Sequence, residues 1–200
     1  NYNFRYFQKR GMPEDLIEAA AIRYVDASPQ CRVALLWAAS GGETAPVENM
    51  LGPLVIEKSV KLKDIGAHNL LSQVYGGEPW LGPREENYPG IRAKKVACFN
   101  GHAALKVMVF EHDGGDALVA LKDRVRGLFG IGKHSIHITD THEEAKDLAR
   151  LLLNRQSVAF LNAAQPNAFP ATLEAIARLK VHLKEHDIAP EDVTIDTGCV

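Results

Sequence analysis

Cysteine is scarce in this chain and never paired in sequence. Cys31, Cys98 and Cys199 form no CxxC and no metal-type spacing. An odd, scattered set excludes a disulfide framework and fits reduced thiols in a cytoplasmic protein. Long apolar runs are missing as well. The longest, Val33 to Ala39, is about a third of the ~20 residues that cross a bilayer, so no membrane insertion is expected. Neither charge is in excess: 23 Lys+Arg face 25 Asp+Glu, a net of −2. Such a balance offers no global field for nucleic acid or an anionic membrane. There is no G-x-G-x-x-G opening a helix, no G-x-x-x-x-G-K-S/T and no G-x-S-x-G. These absences remove both standard phosphate loops and the serine elbow. The opening Asn1-Tyr2-Asn3-Phe4-Arg5 has no initiator Met and no apolar signal region, so a piece of a longer protein without a leader is expected.

What is present is ordinary globular stock, 46% hydrophobic and 24% charged over 200 residues, enough to bury a core without metal or disulfide. Helices are expected over 13–26, 44–51, 66–75, 117–129 and 141–154, then a turn or helix over 155–164 and a long helix over 170–186. Cys31 to Trp37, apolar except for Arg32, reads as a strand buried on both faces. Val55 to Leu62 alternates as a second strand. Ala93–Phe99 and Leu105–Glu111 read as a hairpin turned by Asn100-Gly101-His102, and His134–Ile138 as a short last strand. Residues 82–90, with Pro83 and Pro89, read as loop. Interleaved helices and strands with one hairpin predict an α/β (α+β) fold, a ferredoxin-like sheet backed by helices. That domain is expected over 31–154. Residues 1–30 would be an N-terminal helical extension, and 155–200 a helical arm ending in the start of another strand at Thr194–Gly198.

The window Arg124 to Thr141 gathers two Arg, one Lys, two His and three hydroxyls around a glycine-rich break. Arginine offers a planar fork of donors, lysine a point charge, and a helix start unpaired N–H groups. Arg126, Lys133, His134 and His137 are therefore expected to converge on one anion-binding concavity at the start of the 141–154 helix. The plainer reading makes Thr139-Asp140-Thr141 an N-cap and the arginines a solvated face.

From Gly66 onward the sequence resembles the nucleoside diphosphate kinase family, over about half the chain. That family carries a catalytic histidine in Asn-x-x-His-Gly-Ser-Asp-Ser before a helix with early Glu. The similar stretch here runs from His134 to Ala145. Lys106-Val107-Met108-Val109-Phe110-Glu111 resembles the strand before its arginine helix, Arg126-Gly127-Leu128-Phe129-Gly130 the end of that helix, and His68, Pro79 and Trp80 its His/Tyr helix and Pro-Phe turn. The resemblance implies a ferredoxin-like fold and phosphotransfer, with His137 carrying phosphate. It further implies Arg126 on substrate phosphates, Thr139 beside the histidine, His68 in the substrate region and Mg²⁺ on a nucleotide. The departures are specific. Trp37-Ala38-Ala39 stands where the family has a phosphate-touching Lys, Ile138 replaces the Gly, and Gly130-Ile131-Gly132-Lys133 replaces a long loop. Leu148 takes the place of the Glu that orients the histidine, so Glu144 or Asp140 would have to hold the ring. A second resemblance, through Ala67–Leu71, Gly77–Trp80 and Lys133–His137, is to segments of large bacterial surface-polysaccharide biosynthesis proteins. It implies a non-catalytic kinase-like scaffold domain joined to further domains of the same chain.

Other constellations carry less. The directions of a strand followed by a helix do not bring His134, His137, His142 and Asp140 onto one ion, so no metal site is expected. His182 and His186 are four apart on a helix but lack the Glu of a metalloprotease pair. The loop Gly76–Gly82 with Arg84 could lay Trp80 as a lid over a sugar or base, although a core anchor is the plainer role for the ring. The expected function is therefore binding of a phosphorylated nucleotide or sugar, with phosphoryl transfer through His137.

Overall fold

The computed structural model describes residues 4–41, 44–101, 104–165 and 170–188. The chain forms two compact units, Asn1–Ala164 and Gln165–Val200. In the first, helices α1 (Phe4–Lys9) and α2 (Glu14–Ala27) precede β1 (Cys31–Leu36), α3 (Ala45–Leu51), β2 (Leu54–Lys61), α4 (Asp64–Val74) and α5 (Ile91–Phe99). Then come β3 (Ala104–Glu111), α6 (Gly115–Gly127), β4 (Ile136–Ile138), α7 (His142–Leu152) and α8 (Arg155–Leu161). The second unit holds α9 (Pro170–Glu185). The expected strand near Thr194 lies outside the described residues.

The four strands order as β2-β3-β1-β4, and every neighbouring pair is antiparallel. This is the ferredoxin-like arrangement, with β1 and β3 central. Central position follows from composition, since all six residues of β1 are buried. Alternation sends Val33 and Leu35 into a core shared with α2, α4, α5 and α7, and sends Ala34 and Leu36 into one shared with α3 and α6. Both faces are thus covered. At the outer edge, β4 pairs only three residues, Ile136 to Ile138, with β1.

Three expectations are corrected. Ala93–Phe99 is not a hairpin strand but most of helix α5, because Ile91, Cys98 and Phe99 share one buried face at helical spacing. Asn100 (φ 45°) and Gly101 (φ 78°) end that helix in the left-handed region. The same demand for positive φ that makes Asn-Gly a hairpin turn also makes it a helix terminus. The last strand is shorter than expected, since Gly132–His134 forms a 3₁₀ turn. The flanking helices are also part of the first unit: α2 packs on α7, and α8 on α4 and α7. Helix α1, which the sequence pattern did not announce, docks through buried Phe4, edge-on to Tyr24 at 6.0 Å. Among the described residues no helix is long and apolar enough to cross a membrane.

Candidate functional site

The segment leaving β4 is fixed by hydrogen bonds that its own sequence supplies. Thr139 N–H donates to the Val33 carbonyl at 3.0 Å, and its hydroxyl accepts from Val33 N–H at 2.9 Å. Thr141 caps α7, accepting from Glu144 N–H at 3.2 Å. Glu144 reaches back so that Oε2 accepts from Asp140 N–H at 2.7 Å, a reciprocal cap. Its other oxygen, Oε1, meets His137 Nε2 at 2.8 Å. One carboxylate thus closes the helix cap and holds the imidazole. Burial raises the Glu144 carboxyl, but the hydrogen bonds from His137 and Asp140 and the charge of Lys122 outweigh it and hold the group below its ordinary value. Because Ile136 and Ile138 enter the α3–α6 core, His137 points to the opposite face, where Tyr75 packs edge-on to it at 5.7 Å.

A cavity of about 760 Å³ opens along this edge and brings Arg126, Lys133, His134 and His137 together. Two further cations, Lys94 and Lys122, line it, as do Tyr75 and Trp80. Lys122, only 7% exposed, donates to Asp140 at 2.6 Å. Arg126 reaches Asp123 at 3.3 Å through Nη1, while its Nε is buried with no protein partner. Lys94 Nζ donates to the Lys133 carbonyl at 3.3 Å, lies 3.4 Å from His134 Nδ1, and sits over the Tyr75 ring at 4.9 Å. Burial, followed by the charges of Lys133 and Arg126, lowers the Lys94 ammonium. Burial and then Lys94 lower His134. Burial also raises the Tyr75 phenol, so that group stays a neutral hydroxyl.

Two expected contributors are not in this wall. Thr139 is fully buried just after β4, does not line the cavity, and its hydroxyl is engaged by Val33 N–H. His68 does not line the cavity; its Nε2 meets Asn87 Oδ1 at 3.0 Å, tying α4 to the loop after it. Trp80 is not the core anchor of the plainer reading, being 43% exposed and in contact with Tyr75 at 5.2 Å. Lys122 and Lys94 were missed. The i,i+4 spacing of Lys122 with Arg126 was a usable signal. Lys94 was hidden by the strand reading of its helix. His142, weighed as a metal ligand, instead meets the Val25 carbonyl through Nε2 at 2.7 Å. No known family's model matches the chain, and no curated protein matches it in sequence.

Proposed function

We propose that this cavity binds a phosphorylated nucleotide or sugar and that His137 accepts its terminal phosphoryl group. The observation that carries the reading is a histidine held through Nε2 by an ionised Glu144, on a wall where Lys94, Lys122, Arg126 and Lys133 meet. A carboxylate accepting from Nε2–H leaves the lone pair on Nδ1. That pair attacks the terminal phosphorus, the P–N bond forms, and the bond to the bridging oxygen breaks with its electrons on the departing ligand. Little covalent work is left to the protein, and positioned cations neutralise the transferring group. The buried, unpartnered Arg126 Nε and the exposed ammonium of Lys133 supply that charge.

Mg²⁺ belongs to the substrate in this reading and enters on a nucleotide's phosphates. Of the three carboxylates that line the cavity, Glu78, Asp140 and Glu144, two are engaged, Asp140 by Lys122 and Glu144 by His137. Among the described residues no cluster of three His, Cys, Asp or Glu is placed to hold an ion. The balanced charge supports a small-molecule partner over nucleic acid, and the scattered buried thiols support a cytoplasmic setting.

Incubation with γ-labelled ATP and Mg²⁺ should give an acid-labile, base-stable adduct that His137→Ala abolishes and His182→Ala leaves intact. Arg126→Ala should weaken nucleotide or sugar-phosphate binding by ~1.5–3 kcal/mol, the usual range for a charge-assisted hydrogen bond. Binding without an adduct would reduce the site to recognition. No binding by the folded protein would favour a kinase-like scaffold domain, in the setting of surface-polysaccharide synthesis that the second resemblance implies.

A further inference from the structure

The side chains along the cavity form a row. The Trp80 ring packs on Tyr75 at 5.2 Å, Tyr75 on His137 at 5.7 Å, and His137 bonds Glu144 at 2.8 Å. An exposed aromatic therefore stands at one end and a carboxylate at the other, with Lys94 over the Tyr75 ring between them. Beyond that carboxylate lies a second cavity, of about 500 Å³, which shares Val74 and Glu144 with the first as a common wall.

The chemistry of the second cavity differs. Its polar lining comes from Gln73, Asp147 and Ser157, beside the apolar Leu148 and Leu151. Its one cation, Arg150, is paired with Asp26 at 3.0 Å. With one cation beside the carboxylates of Glu144 and Asp147, this cavity suits phosphate less than the first, which has four cations. Amide, carboxylate and hydroxyl groups next to leucine side chains instead match the alternating O–H and C–H surface of a sugar.

We infer that the two cavities together take a nucleoside diphosphate carrying a sugar on its terminal phosphate, with the base toward Trp80, the diphosphate at Arg126 and Lys133, and the sugar past Glu144 against Gln73, Asp147 and Ser157. This rests on the phosphate-binding part of the reading proposed above, and not on phosphoryl transfer, since the terminal phosphate of such a ligand is already esterified; it specifies the ligand class of that site. Glu144 then has a third partner, since it forms the wall the ligand crosses.

The test is calorimetric titration of the whole chain with UDP and UDP-glucose, and with ADP and ADP-glucose. For at least one base, the sugar conjugate should bind on the order of tenfold tighter than its diphosphate, as one or two added hydrogen bonds would give. Asp147→Ala and Gln73→Ala should each remove most of that gain while leaving the diphosphate affinity unchanged. Asp147 is exposed, so its variant should fold normally. Equal binding of conjugate and diphosphate, or variants that weaken both alike, would overturn the sugar cavity and leave the phosphate site standing. If wild type binds no diphosphate and no conjugate, the phosphate reading falls and this inference falls with it. Weaker binding of both ligands by a similar factor in Arg126→Ala, with the conjugate's advantage intact in wild type, is the result expected if both readings hold.

Discussion

The centre of the sheet and its β4 edge are built from the same alternation but put it to different uses. In β1 every side chain is buried, and partners lie on both sides, β3 over six residues and β4 over three. In β4 the two isoleucines are buried, yet the residue between them is a half-buried histidine bonded to a carboxylate. The central strand has no free edge, and its one charged residue, Arg32, lies near its start and is buried. The edge strand is so short that the chain leaves it within three residues, and the polar groups of its exit and of α7 gather there. A rigid centre fixes where the edge lies, and the edge, with fewer obligations to packing, can carry charge.

The largest effect that would break this contrast is at the centre. Leu35, fully buried and opposite His137 in the β1–β4 ladder, should cost about 2–5 kcal/mol when replaced by Ala, from lost burial and the cavity left behind. Denaturant titration measures it, and a loss near that of an exposed site would mean that the centre is not the rigid element. His137→Ala, by contrast, should change stability far less while removing the phosphoryl adduct.

How far the sequence announced each region follows the same division. β1 was legible because a short run, apolar but for Arg32, between turn signals has few other uses. The β4–α7 segment was legible because Thr139-Asp140-Thr141 followed by Glu143 and Glu144 spells a helix cap, whereas Glu144 was named as a holder of the His137 ring only alongside Asp140, because Leu148 cannot serve. The ferredoxin-like class followed from the order of elements, although one of the strands used to reach it was a helix. α5 failed because Val96 is exposed and Cys98 buried, so the apolar residues of 93–99 fit alternation about as well as helical spacing until Ile91 is counted. That error hid Lys94. Thr139 was placed beside His137 by resemblance, but β4 ends at Ile138, and the Thr139 hydroxyl accepts from Val33 N–H and completes the bonding of β1. Tyr75 and Trp80 meet His137 only through the tertiary path of α4 and the loop after it, which no local pattern encodes.

Thr139 sharpens the comparison at an intermediate scale, because it belongs to the edge by position and to the centre by role. Thr139→Val keeps the shape but leaves the buried Val33 N–H without its acceptor. A stability loss of about 1–3 kcal/mol is expected, with nucleotide affinity unchanged. A fall in affinity without a fall in stability would return Thr139 to the site.

The smallest expected effect lies wholly within the edge. His134 is held below its ordinary pKa first by burial and then by the Lys94 ammonium. A histidine shifted this way binds its proton more weakly folded than unfolded, so stability rises with pH up to the unfolded value, near 6.5. Below the folded pKa both states are protonated and the loss is complete. Lys94→Gln removes the charge and leaves most of the burial. The imidazole midpoint of His134, followed by proton NMR, should therefore move upward without reaching the value of an exposed histidine. The same variant should flatten the acid side of the stability profile slightly. An unmoved midpoint would mean that Lys94 Nζ, 3.4 Å away, is already neutral or turned elsewhere in solution, and the cavity would then hold one positive charge fewer than its geometry suggests.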